Sequence, residues 1–377
     1  MDGVGVVRHP LHPICSAPPA GRRRRRPHPP PRRRVRRSPR SDQERAIHVT
    51  EQSTAPVRPT DAVPPSAGLR LLAVHAHPDD ESSKGAAMMA AYAQAGAEVM
   101  VVTCTGGEAG DLLNPSYEDV VATDRDITAV RREEMAEAVR TLGIQHRWLG
   151  FLDSGLPEGD PLPALPANCF AEIPLRTAAA PLVALVRRFR PHVLIAYDEA
   201  GGYPHPDHIQ AHHVAVEAYR AAGDPDAYPE TGPAWEVSKL YYDRAFNPEK
   251  FRSLHEAFIA AGDESPFEAR LSMYAQMDAL REARRRQEAG EDVPDPEDAP
   301  GWIIPDHAVT TQVPVADFLE HRDAALRAHR TQVDPVGFFF AAPNELLRTS
   351  WPWEDYALID ARVPVELPEH DLFAGLR

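Results

Sequence analysis

A cluster of imidazole and carboxylate side chains at residues 75–81 is the part of this sequence best equipped for chemistry. It reads His-Ala-His-Pro-Asp-Asp-Glu and contains no thiol, a donor set that suits zinc or a related divalent ion. The cluster follows the apolar run 71–74, and Pro78 cannot extend a strand ladder. These polar groups are therefore predicted to lie just past the carboxyl end of a buried parallel strand, where open α/β sheets bind ligands.

A second cluster, Gly201-Gly-Tyr-Pro-His-Pro-Asp-His208, repeats this arrangement after the apolar run 193–197. One such cluster alone is also explained by a polar loop that caps the following helix, and His208 alone could fill a core position. Two clusters, each at the end of a predicted strand, favour a single metal site that both share.

The elements that must position these clusters alternate between strands and helices. Strands are expected at 69–75, 98–104, 148–152, 193–197 and 239–245, and helices at 84–95, 124–142, 176–189 and 208–221. This alternation predicts a Rossmann-like, mostly parallel sheet with helices on both faces. A largely helical part follows at about 246–377, with helices at about 248–261, 265–289, 317–329 and 344–349 and a strand at 308–315. No Gly-x-Gly-x-x-Gly follows the first strand, so a dinucleotide site is not predicted.

The charge distribution divides the chain into a basic tail and an acidic body. Residues 1–68 contain 14 Arg and 5 acidic residues, while the remainder holds 27 basic and 51 acidic ones. The tail is rich in Pro and Arg without periodic apolar positions, so it is predicted to be disordered. A start codon assigned too early is an alternative explanation. An acidic body, and a tail without aromatics for base stacking, argue against a nucleic-acid partner.

The sequence also indicates the cellular compartment of the protein. No apolar run approaches the roughly 18 residues that a membrane-spanning helix needs. Cys15, Cys104 and Cys169 are widely spaced and odd in number, which argues against a disulfide framework and for a reducing compartment. A cytoplasmic protein with no membrane partner is therefore expected, and its oligomeric state is left open.

The motifs His77-Pro-Asp-Asp-Glu81 and His205-Pro-Asp-His208 resemble those of the LmbE/PIG-L family of zinc-dependent N-deacetylases and amidases. Within that family, the stretches 77–85, 201–208 and 328–340 are most similar to the amidases that act on mycothiol S-conjugates. The resemblance covers roughly residues 69–377, which we expect to form one metal-dependent amidase domain, and it is fainter between about 255 and 300.

The resemblance implies a role for several residues of the two motifs. It makes His77, Asp80 and His208 the ligands of one Zn²⁺ per chain, although Fe²⁺ or another divalent ion shares these ligand preferences. Bound zinc would lower the pKa of a water molecule to about 7. The general base is expected at Asp79, with a contribution of about 10²–10⁴ in rate.

The remaining motif residues are expected to act on the oxyanion and the leaving amine. A protonated His205 and the hydroxyl of Tyr203 are candidates to stabilise the oxyanion, each donor contributing about 10²–10³. His205 is also the candidate proton donor to the leaving amine. Asp207 is expected to orient His205 and to raise its pKa, as a neighbouring negative charge does.

Further residues are expected to contact substrate or to support the site. Lys84 stands where the amidases have a lysine, and a solvated helix-start lysine is the alternative. The family binds sugar and inositol hydroxyls near positions that correspond here to Glu108, Asp111, Arg131 and Arg132, although exposed helical arginines are commonly just solvated. Glu81 is either a partner of the ligands or an ordinary helix-start carboxylate.

The function implied is hydrolysis of the amide that joins glucosaminyl-inositol to an S-substituted N-acetylcysteine, a detoxification reaction on a small thiol-sugar conjugate. The alternative is deacetylation of N-acetylglucosaminyl-inositol in mycothiol biosynthesis, at the same site but with a smaller acyl group. A third hypothesis is an iron oxygenase, because two His and one carboxylate also form a facial triad. That hypothesis gives Asp79 no role.

Overall fold

A computed structural model describes residues 62–114, 117, 126–159 and 161–377 of the protein. In these ranges the strands are β1 (Arg70–His75), β2 (Glu98–Thr105), β3 (Gln145–Phe151), β4 (Val193–Ala196), β5 (Lys239–Asp243), β6 (Thr311–Pro314) and β7 (Trp353–Ala361). They form one seven-stranded sheet in the order β3-β2-β1-β4-β5-β7-β6.

The first five strands are parallel, and the strand order reverses at β1. β1 pairs with β2 on one side and with β4 on the other, while β3 extends the first side and β5 the second. Such an order opens a crevice at the carboxyl ends of β1 and β4. The predicted Rossmann-like, mostly parallel sheet is confirmed, and both polar clusters follow the strands that border this crevice.

Helices cover both faces of the sheet. They are α1 (Asp80–Ser83), α2 (Ala86–Gln94), α3 (Ile127–Leu142), α4 (Leu175–Phe189), α5 (Pro206–Ala221), α6 (Pro248–Ala261), α7 (Glu268–Glu288), α8 (Leu319–Ala328) and α9 (Asn344–Ser350). Leu71 packs in the core that α2, α3 and α8 cover, and Leu72 packs in the core beneath α4 and α5. Burial on both faces explains why β1 reads as a continuous apolar run. Within the described ranges, no helix combines the length and the apolar character needed to cross a bilayer.

The start of α5 carries the second cluster into the crevice. The sequence predicts this helix from His208, but the structure extends it to Pro206, with His205 as its N-cap. Proline favours the first helical position because its φ is fixed and its missing N–H would have no helical acceptor there. The first turn of α5 therefore begins just beyond the loop after β4, beside the end of β1.

The C-terminal part is helical as predicted, and β6 lies within the strand expected at 308–315, but a further antiparallel strand, β7, also joins the sheet. β7 pairs with β5 and β6, and it was not predicted because Glu354 and Asp355 interrupt its apolar pattern. Glu354 accepts hydrogen bonds from backbone N–H groups at the start of α2. Asp355 accepts from Asn247 and from the indole of Trp351. Partners distant in sequence therefore allow these two carboxylates inside a strand.

The fold includes residues that the sequence analysis assigns to the tail. Ser66 is buried, and its backbone N–H donates to the carbonyl of Ala95 at 2.7 Å. The guanidinium of Arg377 donates to Ser66 Oγ at 2.9 Å. Residues 62–68 therefore pack against the folded body, and the rest of the predicted disordered tail, residues 1–61, lies outside the described residues.

A truncated protein that starts at residue 62 should melt at a higher temperature than one that starts at residue 69. The shorter protein loses the hydrogen bonds of Ser66 with Ala95 and Arg377, each worth about 1 kcal/mol. We expect its Tm to be lower by roughly 2–8 °C, as measured by circular dichroism. Equal Tm values for the two truncated proteins would contradict the packing of residues 62–68.

Candidate metal centre and active site

The loops after β1 and β4 meet because these strands are parallel neighbours in the sheet. His77 and Asp80 lie on the loop after β1 and at the start of α1, and His208 lies in the first turn of α5. All three side chains are buried. The structure therefore brings together the three residues that the sequence nominates as metal ligands.

The candidate ligand atoms form a nearly equilateral triangle. His77 Nδ1 lies 3.3 Å from His208 Nε2, which lies 3.4 Å from Asp80 Oδ2. His77 Nδ1 is 3.6 Å from the same carboxylate oxygen. A tetrahedral zinc ion with bonds of about 2.0–2.1 Å separates its ligands by about 3.3 Å. The spacing and the nitrogen and oxygen donors therefore fit a zinc-like ion.

Hydrogen bonds to the outer nitrogens set the orientation of both imidazoles. His208 Nδ1–H donates to the carbonyl of Gly201 at 2.9 Å, which leaves Nε2 as the metal-binding nitrogen. His77 Nε2 lies 3.4 Å from Asp207 Oδ2 and 3.5 Å from Asp153 Oδ1. Burial disfavours the charged imidazole, but the neighbouring carboxylates outweigh it and hold the pKa of His77 well above its usual value.

Asp153 is a residue of the site to which the sequence analysis gave no role. Its carboxylate accepts the backbone N–H of Gly155 at 2.9 Å and that of Ala109 at 3.1 Å. Burial raises the pKa of Asp153, but hydrogen bonds with His77 and Gly155 outweigh it and keep the group ionised. Asp153 lies two residues past the end of β3, so the rule that located the other clusters at strand ends also applies to it.

Lys84 is buried against the candidate metal ligand Asp80 instead of extending into solvent. Its ammonium group lies 2.6 Å from Asp80 Oδ1, while Asp80 Oδ2 accepts from the Tyr197 hydroxyl at 2.7 Å. Burial raises the pKa of Asp80, but His208 and Lys84 outweigh it and hold that pKa well below its usual value. The predicted substrate residue Lys84 thus keeps Asp80 ionised, and the solvated alternative is excluded.

Asp79 has the backbone and the environment of a reactive carboxylate. Its φ of +121° is rare for a residue other than glycine and marks local strain, which concentrates at functional sites. Its side chain is 26% exposed and lies 3.5 Å from the guanidinium of Arg131. Burial raises the pKa of Asp79 to about 6, against the opposing charge of Arg131. A carboxyl group with a pKa near neutrality is suited to general-base catalysis.

Glu81 and His329 hold Asp79 in this conformation. The backbone N–H of Asp79 donates to Glu81 Oε2 at 3.0 Å, and Glu81 Oε1 lies 2.6 Å from His329 Nε2. Both side chains are fully buried. Burial opposes ionisation of Glu81, but the charge of His329 outweighs it and lowers its pKa to about 2. Glu81 is therefore more than a helix-start carboxylate, and His329 is a partner that the sequence analysis did not identify.

His205 and Asp207 differ from the expected arrangement. His205 Nδ1 accepts the backbone N–H of Asp207 at 3.1 Å, while the Asp207 carboxylate accepts the N–H of Ser154 at 2.8 Å and faces His77. Burial and the nearby charge of His77 lower the pKa of His205 to about 3. The expectation of a protonated His205 oriented by the Asp207 carboxylate is thus corrected: the imidazole is neutral and carries its proton on Nε2.

Tyr203 lies beside the candidate ligands. Its ring packs against His208 with a centroid distance of 4.7 Å. Tyr203 also lines a cavity whose wall includes Asp79, Asp80 and Lys84. The reactive carboxylate and the predicted hydroxyl donor therefore face one space that can hold a small molecule.

Arg131 is buried, unlike a solvated or sugar-binding arginine on a helix surface. Its guanidinium donates to the carbonyl of Pro78 at 3.0 Å and to that of Gly107. Gly107 has a φ of +66°, and a Cβ at that position would collide with the guanidinium. Arg131 therefore connects the loops after β1 and β2, and its contact with substrate stays a prediction.

The other residues predicted to contact sugar hydroxyls are not brought together at the ligands. Glu108 accepts the backbone N–H of Asp153 at 3.0 Å and is half-buried. Asp111 and Arg132 are exposed, and neither is among the described residues that line the cavity beside Asp79. Glu108 thus supports the loop that carries Asp153. For Asp111 and Arg132, contact with sugar hydroxyls stays a prediction.

Two features define the class to which this protein belongs. They are a Rossmann-like sheet and a donor set of two His and one Asp side chains at the point where the strand order reverses. Residues 72–219 match the family "PIG-L: GlcNAc-PI de-N-acetylase". The chain is 48% identical over 311 residues to the mycothiol S-conjugate amidase of Streptomyces coelicolor, which covers 82% of this chain and 98% of that protein. The chain belongs to the PIG-L family, as its two motifs indicate.

Relatives named for a different activity also align over most of the chain. The 1D-myo-inositol 2-acetamido-2-deoxy-alpha-D-glucopyranoside deacetylase of Streptomyces avermitilis is 40% identical over 314 residues, covering 81% of this chain and 97% of that protein. Among solved structures, the N,N'-diacetylchitobiose deacetylase of Pyrococcus horikoshii aligns over 77% of this chain and 83% of that one, with 17% identity and a TM-score of 0.45.

Replacing Gly201 by alanine should weaken metal binding, whereas Gly202→Ala should not. Both glycines have positive φ, +70° and +73°, so alanine strains the backbone similarly at each. A Cβ at Gly201 would lie 2.5 Å from the Cβ of His208, while one at Gly202 meets nothing within 4 Å. We expect Gly201→Ala to lower Zn²⁺ affinity by about 10–100-fold, as measured by competition with a chromophoric chelator. Similar affinities of the two variants would contradict the role of His208 as a ligand.

Proposed function

We propose that this protein is a zinc-dependent amide hydrolase that cleaves mycothiol S-conjugates. The products would be glucosaminyl-inositol and the N-acetylcysteine S-conjugate. The observation that carries the proposal is the triangle of His77, Asp80 and His208 with the strained carboxylate of Asp79 beside it. The 48% identity to a mycothiol S-conjugate amidase supports this choice of substrate.

The metal would be held by His77 Nδ1, Asp80 Oδ2 and His208 Nε2, which lie within bonding reach of one ion. When bound, zinc supplies a Lewis acid that acidifies water and polarises a carbonyl group. The protein contributes the fixed donors, since the outer contacts of both imidazoles and the ion pair of Asp80 with Lys84 hold the ligand atoms in place.

Asp79 would act as the general base. Its carboxylate faces the cavity in which the amide must lie, and its pKa of about 6 leaves it ionised at neutral pH. It would take a proton from the attacking water as the oxygen bonds to the carbonyl carbon. The C–N bond then breaks, and the departing amine requires one proton, which Asp79 can return.

His205 and Tyr203 would stabilise the oxyanion. Because His205 Nδ1 accepts a backbone N–H, its Nε2 carries the proton and can donate a hydrogen bond without the imidazole being charged. Tyr203 lines the same cavity and carries a hydroxyl donor. Each such donor contributes about 10²–10³ to the rate of acyl-transfer reactions.

Removal of the metal should abolish amide cleavage, and addition of Zn²⁺ should restore it, because the ligand set leaves a position for water. We would dialyse the protein against a chelator, reload it, and identify the products formed from a mycothiol S-conjugate and from N-acetylglucosaminyl-inositol. A faster reaction with the conjugate supports the proposed amidase. Turnover of the acetylated sugar alone would identify the deacetylase, as in the Streptomyces avermitilis relative, and oxygen consumption with Fe²⁺ would support an oxygenase.

Two neighbouring carboxylates should give different phenotypes. Asp79→Asn should retain zinc but lower kcat by about 10²–10⁴, the usual contribution of a general base. Asp80→Asn should lose zinc, because Asp80 Oδ2 is one of the three ligand atoms. The measurements are zinc content after gel filtration and initial rates with zinc in excess. Loss of metal in Asp79→Asn would show that Asp79 is a ligand and not the base.

A further inference from the structure

A second cavity adjoins the one beside the candidate metal ligands. It lies between the end of β5, α6, α8, α9 and β7. Ser83, Phe246 and Phe339 line both cavities. The two cavities are therefore neighbours separated by these three side chains.

Aromatic side chains form much of the wall of the second cavity. Besides the two shared phenylalanines, the aromatic lining residues are Phe251, Phe267, Phe338, Trp351, Trp353 and Tyr356. The guanidinium of Arg270 lies 4.4 Å from the centroid of the Phe338 ring, a cation–π contact that helps to hold this wall. Such a lining suits a flat, apolar group and offers few partners for the hydroxyls of a sugar or an inositol.

Two donor groups in this wall lack an acceptor. Lys250 lines the cavity, and among the described residues its amine has no partner within hydrogen-bond or ion-pair distance, although the charges of Asp355 and Glu354 act on it. The indole N–H of Trp353, another lining residue, is buried without an acceptor. Leaving a buried donor such as the Trp353 indole N–H without an acceptor carries a desolvation cost. A ligand that brought a carbonyl or a similar acceptor into the cavity would remove this cost.

The other charged groups in the wall already have partners. Arg322 is paired with Asp323 at 2.5 Å. Glu354 accepts backbone N–H groups at the start of α2, and Asp355 accepts from side chains that include Gln312 at 2.9 Å. Lys250 is therefore the lining cation best placed to meet a bound ligand.

We propose that this second cavity receives the S-linked group of a mycothiol conjugate, and that it favours flat, apolar groups that carry a hydrogen-bond acceptor. The inference rests on the proposed function. In such a conjugate only two carbons separate the sulfur from the amide carbonyl, so a group on sulfur must occupy space next to the reacting bond. The aromatic cavity beyond Phe339 is the adjoining space with the matching chemistry.

Cavity-filling variants test this proposal. Ala342 and Ala245 both line the second cavity and not the first, so leucine at either position takes up space that the S-linked group needs. We expect each variant to lower kcat/KM for the S-bimane conjugate, a flat bicyclic group with two carbonyls, by about tenfold or more. The S-methyl conjugate should change by less than about twofold, because it does not reach the filled space.

Ala260→Leu is the matched control, since Ala260 is exposed on α6, the helix that also carries Lys250. It should leave both substrates unchanged. Lys250→Met should lower kcat/KM for the S-bimane conjugate but not for an S-benzyl conjugate, which is flat and lacks an acceptor. Zinc content and Tm are measured for every variant, and two separate filling positions keep the test valid if one variant does not fold.

The outcomes separate this inference from the function on which it rests. A loss confined to the S-bimane conjugate supports the cavity assignment. Equal losses with both conjugates, or no loss with either, in variants that fold and hold zinc would overturn it. A wild-type protein that cleaves neither conjugate would overturn the proposed function, and the assignment with it.

Discussion

The buried carboxylate of Asp80 is the interaction on which the rest of the site depends. An ionised carboxylate at this depth is unfavourable by several kcal/mol unless charges and hydrogen-bond donors surround it. The structure supplies Lys84 at 2.6 Å and the Tyr197 hydroxyl at 2.7 Å. Lys84 lies only four residues after Asp80, but Tyr197 follows β4, so the Tyr197 hydroxyl reaches Asp80 only when β1 and β4 pair correctly. The assembly of the sheet therefore completes the hydrogen bonding of a candidate metal ligand.

The strained backbone of Asp79 shows how the site draws on distant parts of the chain. A φ of +121° at a residue with a side chain is unfavourable by about 1–3 kcal/mol and persists only where neighbouring contacts fix it. Glu81 accepts the N–H of Asp79 and is itself fixed by His329, which follows α8. Arg131, which lies on α3, donates a hydrogen bond to the carbonyl of Pro78, the residue before Asp79. The reactive carboxylate is thus positioned by helices from both halves of the protein.

Residues whose place follows from the end of a strand could be predicted from the sequence, and residues fixed by long-range contacts could not. His77 and His208 each follow an apolar run that reads as a buried strand, and the five parallel strands were predicted for the same reason. His329 lies 248 positions from Glu81, and no local pattern connects them. The sequence places Asp207 in the correct cluster but pairs its carboxylate with His205, whereas in the structure it faces His77. Sequence spacing does not give side-chain direction. β7 was missed because its carboxylates are satisfied by residues far along the chain.

The proposed hydrolytic groups and the aromatic cavity come from different parts of the chain. The candidate metal ligands and Asp79 all lie within residues 72–219, the stretch that matches the family, whereas most of the aromatic cavity comes from residues 243–356. Mutations in the later half can reshape that space while leaving the hydrolytic groups in place, apart from the supporting contact of His329. The range of accepted substrates can therefore change in evolution while the hydrolytic groups stay the same.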